Sequence, residues 1–118
     1  MPHVVLTGKI NSEKAFENLE NIFEKIDGGI LKTTNHFLDK NKQAILVESL
    51  AIEKGQKTNF LAMINNREDG IVIRIYPGFD DFNKTDGVKR ILAEIAKQLM
   101  KKSDEVVIGK TNLMEFLE

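Results

Sequence analysis

The chain offers few groups suited to covalent or metal chemistry. It has no cysteine and only two histidines, His3 and His36, so thiolate nucleophiles, disulfides and cysteine-held zinc are excluded. The two histidines fall in strands expected at opposite edges of the sheet derived below, which denies them a shared metal or a catalytic dyad. There is no G-x-S-x-G to build a nucleophile elbow. Asp80, Asp81 and Asp86 gather carboxylates, but a calcium loop needs alternating oxygen ligands, a central glycine and a closing glutamate. The main-chain N–H groups of Thr85–Val88 open a helix and would favour an anion, yet Gly87 stands alone where a phosphate loop uses several glycines. Glu48, set in an apolar strand, is the carboxylate with most scope for perturbed titration; pairing with Lys or Arg on a less buried face is the simpler reading. The expectation is no catalytic residue, no metal and no cofactor.

Binding residues are easier to find. In the run Ile71–Tyr76, Ile73 and Ile75 alternate with Arg74 and Tyr76, so a guanidinium and a phenol share the face away from the core. Strand alternation adds Lys9 and Asn59 to that face, and the four residues Arg74, Tyr76, Lys9 and Asn59 form the expected ligand-binding set. The same face carries too much apolar character for plain solvation. Ile45, Val47, Ser49 and Ala51 alternate with Ala44, Leu46, Glu48, Leu50 and Ile52, and Leu61 and Met63 lie opposite Phe60, Ala62 and Ile64. A strand apolar on both sides is normally covered on both sides. Val47, Leu61 and Met63 are therefore the expected interface residues, with a second copy of the chain or the C-terminal tail as the cover.

The elements that must position these residues follow from periodicity. A strand is expected at His3–Ile10. A helix follows, capped by Asn11 or Ser12, with the stripe Ala15, Phe16, Leu19, Ile22, Phe23, Ile26 and a stop at Gly28-Gly29. Four strands then run over Ile30–Leu38, Gln43–Ile52, Thr58–Asn65 and Ile71–Tyr76, separated by short polar turns that make an antiparallel meander. A second helix, capped by Thr85 or Asp86, carries Val88, Ile91, Leu92, Ile95, Leu99 and Met100. The tail reads as a short strand, Val106–Ile108, and one or two helical turns. The expected fold is α+β: a five-stranded antiparallel sheet in spatial order 1-5-4-3-2 with two helices on one face, element order β-α-β-β-β-β-α. Residues 1–118 make one domain, with 1–102 as its core and 103–118 as a C-terminal extension. In topology this order resembles one repeat of the TATA-binding-protein fold.

Composition sets the remaining limits. The 118 residues carry 17 Lys+Arg against 18 Asp+Glu, a net charge of −1, with 42% apolar and 30% charged residues. This is the profile of a globular domain, and it counts against a nucleic-acid-binding saddle, which calls for a basic excess. The N-terminal residues lack the basic and apolar regions of a signal peptide, and no apolar run approaches the ~20 residues of a membrane span; a cytoplasmic protein that does not bind membranes is expected. The functional expectation is a small non-enzymatic binding domain, homodimeric, with a small molecule or a protein as ligand. The alternative is a ligand-binding or enzymatic pocket between the second helix and the sheet, with Arg74 and Tyr76 as polar handles.

Overall fold

The computed structural model describes residues 1–78 and 83–118. Its seven strands are β1 (His3–Gly8), β2 (Phe23–Ile26), β3 (Gly29–Leu38), β4 (Ala44–Glu53), β5 (Gln56–Arg67), β6 (Gly70–Ile75) and β7 (Val106–Thr111). Three helices accompany them: α1 (Ser12–Asn18), α2 (Asp86–Lys101) and α3 (Met114–Leu117). The strands form one antiparallel, curled sheet in the order β2-β3-β4-β5-β6-β1-β7. The expected five-stranded sheet with two helices on one face, and with it the topology of a TATA-binding-protein repeat, is thus overturned. A strand is added at each edge, and the first helix is half its expected length.

The first helix is cut short for a physical reason. Asn11 caps it, its side chain accepting from the Lys14 main-chain N–H at 2.8 Å, and Ala15 buries completely. Leu19 already has extended backbone. The main-chain N–H of Glu20 donates to the Gln98 side chain at 3.0 Å, and the Glu20 carbonyl accepts from it at 3.1 Å. Beyond that point β3 presents an unpaired edge, and an unpaired edge favours strand addition over a lone helical turn. The Ile22 carbonyl accepts from the Thr33 main-chain N–H at 2.9 Å, and the Ile22 N–H donates to the Thr33 side-chain Oγ1 at 2.8 Å. Phe23–Ile26 then pairs residue by residue with Gly29–Lys32. Asp27-Gly28 forms the hairpin turn, with Gly28 at φ +82°, a conformation that glycine adopts without strain.

One face of the sheet holds the core. Val4, Leu6, Leu31, Ile45, Val47, Ala51, Phe60, Ala62, Ile64, Ile71, Ile73 and Ile75 are buried there, and α2 packs on them through Val88, Ile91, Leu92, Ile95, Ala96 and Leu99. Glu53, at the end of β4, fixes the start of α2. Its carboxylate accepts from the Gly87 N–H at 2.8 Å and from the Thr85 hydroxyl at 2.6 Å. A Cβ at Gly87 would lie 2.6 Å from the Glu53 carboxyl carbon, so a side chain there would push the carboxylate out of its present position. α1 sits on the same core, with Ser12 Oγ donating to the Gln43 carbonyl at 3.0 Å and Ser12 N–H donating to Asn66 Oδ1 at 2.7 Å. The C-terminal extension goes to two places. β7 pairs with β1 at the sheet edge, and α3 packs against α2, so the extension does not lie over the second sheet face. Among the described residues no helix is long and apolar enough to cross a membrane.

Candidate binding site on the helix-free sheet face

Among the described residues no helix covers the other face of the sheet. Its side chains follow from the register. Lys32, Leu50 and Asn59 form one row across β3, β4 and β5; Glu48 and Leu61 form the next, continued by Tyr76, whose N–H donates to the Leu61 carbonyl at 2.8 Å. A third row runs Phe37, Leu46, Met63, Arg74, His3 from β3 to β1. Between Thr33 and His36 the pairing slips, so that Thr34 and Asn35 together face Glu48. Such a bulge bends the strand locally and redirects the side chains beside it.

Next to this bulge lies a groove of about 530 Å³, lined by residues that include Lys32, Glu48, Leu50, Lys57, Asn59, Leu61 and Tyr76. Leu50 and Leu61 supply an apolar floor, and Tyr76 stands where β6 ends. Lys32 and Lys57 flank β4 from its two sides. Glu48 is half-buried, and its Oε1 accepts from Asn35 Nδ2 at 2.6 Å; its partner is therefore an amide, where sequence reasoning expected Lys or Arg. The volume lies within the ~300–1,000 Å³ typical of small-molecule sites.

The structure divides the expected ligand-binding set. Asn59 and Tyr76 line the groove together. Arg74 shares their face one row away, with its Nε donating to Asn65 Oδ1 at 3.2 Å. Lys9 lies beyond the end of β1, 3.6 Å from Glu105, and belongs to no site with the others. The expected interface set is divided as well. Leu61 and Met63 lie on the helix-free face, whereas Val47 pairs with Ala62 on the core face and has no solvent exposure. It is corrected to a core residue, because adjacent β4 residues point to opposite faces.

The expected pocket between α2 and the sheet does not form around Arg74 and Tyr76; the hollow on that side, about 300 Å³, lies at the start of α2 between Arg90 and the ends of β2 and β4, lined by Glu24, Leu31, Glu53 and Asp86 among others. Ile73 and Ile75 pack on that side against Ile91, Ile95 and Leu99, all at most 4% exposed, so Arg74 and Tyr76 face away from α2. The N-terminus of α2 is taken by the carboxylate of Glu53 and by Thr85, whose Oγ1 accepts from the Val88 N–H at 3.3 Å, leaving those donors committed within the protein. Asp80 and Asp81 lie outside the described residues. Among the described residues no three His, Asp or Glu side chains gather as a metal-holding group.

The histidines are far apart in strand order. His3 Nδ1 lies 2.9 Å from the Met1 carbonyl oxygen. His36 follows the bulge on the core face, where its Nε2 is buried without a hydrogen-bond partner, and burial holds its pKa below the ordinary histidine value. Lys32, Lys57, Leu50 and the bulge are what sequence reasoning missed at the groove. The lysines were legible by alternation alone: Lys57 shares a face with Asn59, and Lys32 lies two residues before Thr34. The bulge has no comparable signal in the sequence. Set against protein families, curated proteins and solved structures, the chain matches none.

Proposed function

We propose that the protein is a non-enzymatic binding domain whose working surface is the helix-free sheet face, centred on the groove between Leu50, Leu61 and Tyr76. The observation that carries this reading is the groove itself. A hollow of about 530 Å³ with an apolar floor and a few polar side chains at its rim has the make-up of a small-molecule site. The core does not depend on it, because the main cluster of buried side chains packs on the opposite face. A screen of small neutral, cationic and anionic organic compounds by thermal shift tests the reading. At least one class should raise the melting temperature, and Tyr76→Ala should abolish that rise while leaving the fold intact. If no class raises it, or if the Tyr76→Ala protein responds like the wild type, the groove reading fails.

A second reading, a homodimer through the same face, is favoured by Phe37. It is 53% exposed and stands in one row with Leu46 and Met63. Exposed aromatic side chains that continue an apolar row are typical of surfaces that meet another protein.

A further inference from the structure

Resting on the groove reading above, we infer that its ligand is an amphipathic organic carboxylate, with its acid group between Lys32 and Lys57 and its apolar body on Leu50 and Leu61 beside Tyr76. The charges around the groove point to an anion. Lys32 faces Leu50 across β3 and β4, and Lys57 faces Ile52 across β4 and β5. Their strands flank β4, so their backbones stand on the order of 10 Å apart, and their flexible four-carbon stems are long enough for both ammonium groups to reach over that strand.

Neither lysine has an ion pair or hydrogen bond to a carboxylate among the described residues. Among the described residues one carboxylate stands at the rim, Glu48, which accepts from the Asn35 amide. Two ammonium groups against that single carboxylate give the described rim an excess of positive charge above a floor that is mainly apolar. A ligand with one negative end and a flat or flexible apolar body answers both features. A cation would meet two ammonium groups, and a neutral compound would leave them unused. An amide such as that of Asn59, which both donates and accepts, can serve either carboxylate oxygen or a polar substituent of the body.

The test compares three probes that share one body and differ in charge: naphthylacetate, naphthylethanol and naphthylethylammonium, each titrated calorimetrically into the full chain. The acid should bind at one site per chain, at least tenfold more tightly than the alcohol, and the ammonium should give no measurable heat of binding. The double variant Lys32→Gln, Lys57→Gln should bind acid and alcohol alike. Lys14→Gln, on α1, should keep the tenfold preference, which separates a local effect from net charge. Equal binding of the acid and alcohol by the wild type, or an acid preference that survives the double variant, would overturn the carboxylate and leave the groove reading standing. Absence of binding by all three probes would remove both. A single-stranded oligonucleotide that displaces the acid with a steep salt dependence would assign the lysines to phosphates and overturn the proposal.

Discussion

Val47 and Leu61 lie on neighbouring strands and on opposite faces, so a lysine at each should have opposite consequences. Val47→Lys would bury an ammonium in a fully closed apolar layer, with no acidic partner on the strands beside it; a loss above about 4 kcal/mol or outright unfolding is expected. Leu61→Lys places the same group on the helix-free face and should cost about 1 kcal/mol or less. Urea denaturation of the two variants checks the assignment, and similar losses would place the two side chains in the same environment. His36 supplies a second residue-scale prediction. Desolvation favours its neutral form in the folded protein, whereas the unfolded chain titrates near 6.5. Below pH 6.5 the unfolded state therefore takes up the proton first, and stability falls as pH drops from there toward the lowered folded value, where the loss levels off. The carboxyls of Glu20 and Asp69, held down by Lys102 and Arg67, act only at more acidic pH. His36→Leu should flatten the stability profile between neutral pH and pH 5, and an unchanged slope would exclude His36 as its source.

At the scale of elements, α2 is held by two different devices, and they can be separated. Its buried stripe meets β6, and truncation of Ile95 or Ile73 to Ala should cost about 2–5 kcal/mol, the range for a fully buried aliphatic side chain. Its N-terminus is held by Glu53, and Glu53→Gln should cost about 1–2 kcal/mol through the lost charge at the helix dipole and a weaker hydrogen bond to Gly87. Equilibrium denaturation measures both, and a neutral Glu53→Gln would show that Thr85 caps the helix unaided. The sequence makes α2 legible because its stripe, cap and closing lysines all agree. It makes β3–β6 legible because the turns between them are short and polar. It misleads at Ile22, Phe23 and Ile26, which fit a helical stripe and a half-buried strand equally well. What decides between them is the free edge of β3, a neighbour that periodicity does not reveal. The Asp27-Gly28 pair between two apolar runs is the local hairpin signal, but the adjoining Gly28-Gly29 pair fits a helix stop equally well. The groove has the same character. Its side chains follow from alternation once the register is known, but the Thr34–Asn35 bulge that shapes it arises from pairing with Glu48.

At the scale of the whole molecule, the question is how much of the helix-free face is used. Seven strands span roughly 29 Å, and the central strands run ten to twelve residues, so the face can supply the ~800 Å² per partner of a standard interface. The C-terminal extension does not cover it, having joined the sheet edge as β7 and packed on α2 as α3. The groove occupies the rows of Leu50 and Leu61, while Phe37, Leu46 and Met63 form the row beside it, leaving room for a ligand and a second copy on one face. A symmetric pair is the commonest way to cover such a row. Light scattering at micromolar concentration should therefore give a dimer mass. Phe37→Lys should return the monomer with unchanged circular dichroism, because Phe37 is outside the core. It should also leave carboxylate binding in place, because Phe37 does not line the groove. A wild-type monomer throughout the concentration range would sink the dimer and leave the groove as the face's sole use. A dimer unaffected by Phe37→Lys would move the contact to another surface, the exposed edge of β7 with Val107 being the next to test.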